Sequence, residues 1–184
     1  MLADIGIGIF SAIIASKLFQ TKITLFTVII GIVFALLPDM DFLIEWIKRK
    51  RMPGKFSHEH RNLFHLPFLY VPIGSFVVFL FGWIYLFIFV FNSFLHFLHD
   101  SFGIGWGIKW IYPFSERNYK FFTGNNNRFS KRFIISWNKE ELQKAVEKYG
   151  DPNWIKNTYF RPTLISITEA VVFLISIAVL FLGL

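Results

Sequence analysis

From Leu66 to Phe97 the chain runs about 32 residues without one Asp, Glu, Lys or Arg. About 20 apolar residues suffice for one helix to cross the hydrocarbon core of a bilayer, so this run is too long for one comfortable span. Pro72 and Gly74 lie in its first part and Gly82 near its middle. A helical hairpin turning near Gly82 is therefore expected, in preference to one long, kinked helix. A hairpin also returns His96 to the side on which His65 starts.

Other apolar runs extend the pattern. Ile5–Phe19 is about 15 residues, about 22 Å if helical, and crosses only where the bilayer thins around it. A tight turn at Gln20-Thr21-Lys22 leads to Ile23–Leu37. Pro38 follows and cannot donate the next helical hydrogen bond. After Asp39-Met40-Asp41, the spacing of Phe42, Leu43, Trp46 and Ile47 suits an amphipathic helix at the interface, with Trp46 as anchor. The last run, Pro162–Leu184, starts with Pro at a helical first position. With 54% hydrophobic residues, a mean hydropathy of +0.50 and 25 Phe, a soluble globule is not expected. Zero Cys excludes disulfides, thiolate metal sites and a Cys nucleophile. No basic region precedes Ile5, and Asp4 sits where Lys or Arg belongs in a signal peptide, so a cleaved leader is not expected.

The expected fold is an all-α membrane protein, one integral-membrane domain over residues 1–184. It is a bundle of about five transmembrane helices, at about 4–19, 23–38, 64–81, 83–100 and 162–183. A small helical extramembrane segment, 103–161, carries eleven Lys/Arg against five Asp/Glu. Within it Asn138 caps a helix, Glu141 reaches back, and Leu142, Ala145, Val146 and Tyr149 line one face before Gly150 and Pro152 end it.

A net charge of +7 would suggest nucleic acid in a soluble protein. Here seventeen of the nineteen Lys and Arg, all but Lys17 and Lys22, fall on one side of the expected bundle. The positive-inside rule makes that side cytoplasmic. No nucleic-acid partner is expected. The chain reads as a multi-pass protein of the cell (inner, cytoplasmic) membrane, its N-terminus inside, with anionic lipid as a secondary contact of the basic patches.

The same face collects the polar motifs. His96 and Asp100 are four residues apart and so share one helix face, whereas His99 points about 100° away from Asp100. Asp39 and Asp41 flank Met40, and His58, His60 and His65 lie in the first basic loop. Each has a bland alternative: a helix-end histidine bonded to backbone, carboxylates capping a helix, Glu59 and Arg61 merely solvated. Their convergence on one face favours a site. Imidazole with carboxylate suits zinc first, then manganese or iron(II). Candidate ligands are Asp39, Asp41, His60, His65, His96 and Asp100, with Asp4 and His58 in reserve. They could serve two metals, or one metal with carboxylates orienting the histidines. Glu169, about two turns inside the last span, is costly in lipid. It either faces the bundle or reaches water as a shallow carboxylate.

Three blocks carry a resemblance: Leu37-Pro38-Asp39-Met40-Asp41; His60-Arg61 with His65 following; and Leu95-His96 to Asp100, then glycines and Trp110-Ile111-Tyr112-Pro113-Phe114-Ser115. In this order they resemble the YdjM-like family of membrane-bound metal-dependent hydrolases. Asn62 stands where the family has Gly, Phe64 replaces a Thr, Leu66 a Ser, and Gly103-Ile104-Gly105 a Pro-bearing turn. Asp4 stands where the family commonly has a His, and a carboxylate there could still ligate. The resemblance implies a bundle of membrane helices with a metal-dependent hydrolase site at one face. A more distant similarity to zinc-dependent phospholipases C, in the His/Asp helical chemistry, hints at a phosphodiester in lipid.

The expected function is a membrane-bound metal-dependent hydrolase in which metal-activated water attacks a phosphoester or related ester, with a lipid headgroup or lipid-linked substrate favoured. Glu59 or an unligated Asp would be general base, and Arg61 would bind the substrate anion. The alternative is a metal-binding membrane protein without hydrolase activity, either sensing or moving metal past Glu169 or recruiting a partner through 103–161.

Overall fold

A computed structural model describes residues 1–49, 64–102, 105–121 and 133–183, mostly as helix. The chain divides into two compact units: Met1–Pro38, Val71–His96 and Thr158–Leu184, and then Asp39–Tyr70 and Phe97–Asn157.

In the first unit, helix α1 (Leu2–Leu18) packs against α2 (Leu25–Leu36) and against α8 (Leu164–Leu182). The core between them is aliphatic: Ile9, Ala12, Ile13 and Val28 are buried, with Ile5, Ile32, Phe173 and Ile177 against them. Where α1 meets α2, a side chain on Gly31 would run into the carbonyl of Gly8. Small residues at such crossings let helix backbones come together, the usual way membrane helices gain packing. α2 starts at a reciprocal cap, in which the Thr24 hydroxyl accepts from the Thr27 N–H and the Thr27 hydroxyl accepts from the Thr24 N–H. The expected hairpin is present: α4 (Pro67–Phe79) and α5 (Trp83–Ser101) are joined through Gly82, whose φ of +116° needs a residue without a Cβ. Pro162 was expected to open the last helix, but Thr163 is its N-cap, accepting from the Ser166 N–H, and Pro162 precedes the cap. The correction has a plain cause: a hydroxyl can accept from the unsatisfied N–H groups at a helix start and proline cannot.

A single 3₁₀ turn at Leu37–Asp39 leads the chain out of α2, and the second unit opens with α3 (Met40–Arg49). Two short strands, β1 (Asn118–Phe121) and β2 (Ile134–Trp137), pair antiparallel with Asn118 opposite Trp137. Helices α6 (Lys139–Tyr149) and α7 (Trp154–Tyr159) follow. Trp137, Leu142 and Val146 form a small core with Trp106 and Ile135. The expected cap of α6 is present in both directions between Asn138 and Glu141. The strands correct the expectation of a purely helical segment. The alternating burial of β1 and the β-branched Ile134 and Ile135 suit a pleated ribbon, but runs of four residues are too short to show a period.

Among the described residues three stretches are long and apolar enough to cross a membrane: Leu25–Lys48, Trp83–Ser101 and Leu164–Leu182. Pro67–Phe79 is apolar but shorter.

Candidate metal centre

Three carboxylates of the second unit converge on the imidazole of His65. Asp39 ends the 3₁₀ turn, Asp41 lies in the first turn of α3, His65 comes just before α4, and Asp100 is in the last turn of α5. The His65 ring is fully buried and stands edge-on to Phe97, centroids 6.3 Å apart. Its Nδ1 lies 3.2 Å from Asp41 Oδ2, an oxygen that also accepts the Phe64 N–H at 2.7 Å. Its Nε2 lies 3.1 Å from Asp100 Oδ2 and 3.8 Å from Asp39 Oδ1. A carboxylate can only accept, so Asp41 favours the tautomer with the proton on Nδ1, which turns Nε2 toward two carboxylates as an acceptor that a metal ion could use.

That chemistry passes the test for a divalent ion. One imidazole nitrogen and two carboxylate oxygens suit zinc, manganese or iron(II), and a carboxylate on the far ring nitrogen is the usual support of a ligating histidine. Asp39 and His65 offer ligand atoms within 4.8 Å of one another and could hold a metal ion.

In the first unit a second imidazole, His96, lies near a carboxylate. Its Nδ1 lies 3.4 Å from Oδ1 of Asp4, and both residues are buried, at 3% and 2% exposure. Asp4 sits in the first turn of α1. Glu169 holds that turn: its Oε2 accepts the Leu2 N–H at 3.0 Å and the Met1 amine at 3.0 Å. Glu169 is therefore the bundle-facing carboxylate of the two sequence alternatives, and at 3% exposure it does not reach water.

Three expected site residues, Glu59, His60 and Arg61, lie outside the described residues, as does His58. Others went unrecognised in the sequence. Asn92, one turn before His96, is fully buried and donates to Ser11 Oγ at 2.8 Å and to the Gly31 carbonyl at 3.2 Å. An amide inside an apolar run is a signal that could have found it. Beyond Asp100, Ser101 Oγ donates to the Phe97 carbonyl and accepts from Trp110 Nε1, each at 2.8 Å. The buried Lys120 ammonium donates to the carbonyls of Phe102 and Gly105, at 3.4 and 2.5 Å. Trp110 and Lys120 thus fasten the end of α5 that carries Asp100, which accounts for the tryptophan at the head of the Trp110–Ser115 block.

No curated protein and no solved structure matches this chain. A family described as YdjM inner membrane protein matches residues 3–183. Nearly the whole chain lies within that match, apolar helices and His/Asp group included, and the chain belongs to the YdjM inner membrane protein family.

Proposed function

We propose that this membrane protein is a metal-dependent hydrolase acting on a phosphoester or related ester of a lipid or lipid-linked substrate. The observation that carries the reading is the His65 imidazole, fixed on Nδ1 by Asp41 and facing Asp39 and Asp100 with Nε2. Asp39, His65 and Asp100 would hold the ion, zinc in the first instance, with the fourth position left to water. A divalent ion there supplies a Lewis acid for an ester oxygen and lowers the pKa of water toward neutrality.

The chain's own residues do the rest. Asp41 and Phe97 keep the ring in one orientation, and its full burial closes that side to water. Exposure rises from His65 through Asp100, at 15%, to Asp39, at 31%, so substrate approaches from the Asp39 side. Glu59 as base and Arg61 as anion-binding group complete the proposal from the sequence. Membership of an inner-membrane family and the distribution of Lys and Arg support a multi-pass topology of five spans, in which α1 and α4 also cross and the site faces the cytoplasm. Transport past Glu169 loses support, because that carboxylate is engaged by the first residues of α1.

The test is metal analysis of detergent-purified protein beside His65→Ala and Asp100→Ala, followed by a hydrolysis panel of lipid phosphoesters, soluble phosphoesters and carboxyl esters. Stoichiometric zinc in wild type, lost in both variants, with cleavage of a lipid phosphoester, is expected. Equal metal content in all three proteins would remove the site. Bound metal without cleavage of any substrate would leave a metal-binding membrane protein in place of a hydrolase.

A further inference from the structure

Beyond Trp110 itself, the Trp110–Ser115 block is a turn held from both sides, yet its largest apolar side chains face outward. Before the turn, Trp110 donates to Ser101 Oγ, and its ring centroid lies 5.8 Å from that of Phe121. Ile108 exchanges two backbone hydrogen bonds with Tyr119, at 3.2 and 2.8 Å, and Asn118 Nδ2 donates to the Gly107 carbonyl at 3.3 Å. Gly107 has a φ of +76°, and a Cβ there would strike the Tyr119 carbonyl, so this approach needs glycine. The turn closes where the Ser115 N–H donates to the Ile111 carbonyl at 3.1 Å. Within this frame Ile111 and Phe114 are exposed, Phe114 at 78%. A fixed frame that displays large apolar groups marks a contact surface, because water around them is costly.

The neighbours of the turn say what covers it. Phe114 stands edge-on to Phe68, centroids 5.2 Å apart, and Phe68, itself exposed, lies in the first turn of the apolar helix α4. The patch is thus continuous with a helix of lipid-compatible composition. Lys109 Nζ lies 5.9 Å from the centre of the Tyr112 ring. A tyrosine ring and a lysine stem are suited to a membrane interface, where the apolar part is buried and the polar tip reaches the headgroups. We infer that residues 111–114 are a membrane-inserting turn: Ile111 and Phe114, with Phe68 against Phe114, enter the boundary between headgroups and acyl chains, and Lys109 stays among the lipid phosphates. Inserted in this way, the turn ties the segment that carries β1, β2 and α6 to the leaflet. The anchor needs no metal ion, so its test is separate from that of the metal centre.

Depth is read by spin labelling. The chain has no cysteine, so full-length Ile111→Cys and Phe114→Cys each take one nitroxide. Lys144→Cys, at an exposed position of α6, is the aqueous reference. Each protein is stripped of metal and placed in nanodiscs of phosphatidylcholine and phosphatidylglycerol. Collisions with oxygen, which concentrates in the acyl region, are compared with collisions with a water-soluble nickel chelate. Labels at 111 and 114 are expected about 5–10 Å below the phosphates, favouring oxygen, and the label at 144 is expected to favour nickel. Nickel collisions at 111 or 114 as frequent as at 144 would place the turn in water and overturn the inference. A label at either position shielded from both reagents would mean that protein, a second copy of this chain or another partner, covers the surface, and overturns it equally. Ile111→Cys leaves the Phe114–Phe68 contact in place, so it decides the question should Phe114→Cys fail to fold.

Discussion

Replacing Asp41 with Asn changes one oxygen for one NH₂ and should be felt twice. Asp41, only 5% exposed, accepts from the Phe64 N–H and faces His65 Nδ1 with Oδ2, at 2.7 and 3.2 Å. The amide oxygen of Asn can still accept, but without the charge, and hydrogen bonds to charged groups contribute about 1.5–3 kcal/mol. Metal-free Asp41→Asn should therefore be less stable than metal-free wild type by about 1–2 kcal/mol. The second effect is on the metal, through the basicity and orientation of His65, and amounts to about 10–100-fold in affinity. At free zinc set to 100 times the wild-type dissociation constant, binding stabilises wild type by about 2.7 kcal/mol. The same zinc stabilises the variant by about 1.4 kcal/mol if its affinity is tenfold weaker and about 0.4 kcal/mol if 100-fold weaker. The assay is denaturant unfolding in detergent with and without buffered zinc. Subtracting the metal-free stability of each protein isolates the zinc term, so a general loss of stability cannot imitate it. An equal zinc term in both proteins would refute the role given to Asp41. Loss of the whole term, as for His65→Ala, would make Asp41 a ligand.

Three more outcomes follow from the packing. Gly31→Leu puts a side chain against the Gly8 carbonyl and should cost at least the 1–3 kcal/mol typical of overpacking, roughly, read as a lower unfolding midpoint in detergent. Asn92→Leu removes the hydrogen bonds to Ser11 and Gly31; since interhelical bonds in membranes average about 0.6 kcal/mol each, a loss of about 1 kcal/mol is expected. Lys120→Met withdraws a buried ammonium from the Phe102 and Gly105 carbonyls and should destabilise by about 1–3 kcal/mol. The same unfolding assay checks it, and Lys120→Arg should recover part of the loss.

What could be read from the sequence was whatever repeats locally. Gly82 in the middle of an uncharged run announced the α4–α5 hairpin, and Asn138 with Glu141 announced the start of α6, because turns and caps are decided within a few residues. The candidate ligands Asp39, Asp41, His65 and Asp100 could be picked out in sequence as donors at turn and helix ends. Their division of labour was not, because which ring nitrogen meets which carboxylate depends on how α3, the approach to α4 and the end of α5 are set in three dimensions. The burial of Lys120 was equally hidden. In sequence it is one of eleven positive charges of the basic segment, and only backbone carbonyls, which no sequence displays, make its burial tolerable.

That division of labour bears on how many metal ions the site takes. Counted as donors, Asp4, Asp39, Asp41, His60, His65, His96 and Asp100 would serve two ions. Asp41, however, stands on Nδ1 of His65 and accepts the Phe64 N–H with the same oxygen. Asp39, His65 and Asp100 then remain as the donors facing one another in the second unit, three protein ligands that leave the fourth position of a tetrahedral zinc to water or substrate. Two ions sharing an in-line displacement would need bridging carboxylates and more donors than these three. The arrangement therefore favours one ion with one supported histidine, and a zinc titration that saturates at one equivalent per chain is the stoichiometry this arrangement requires.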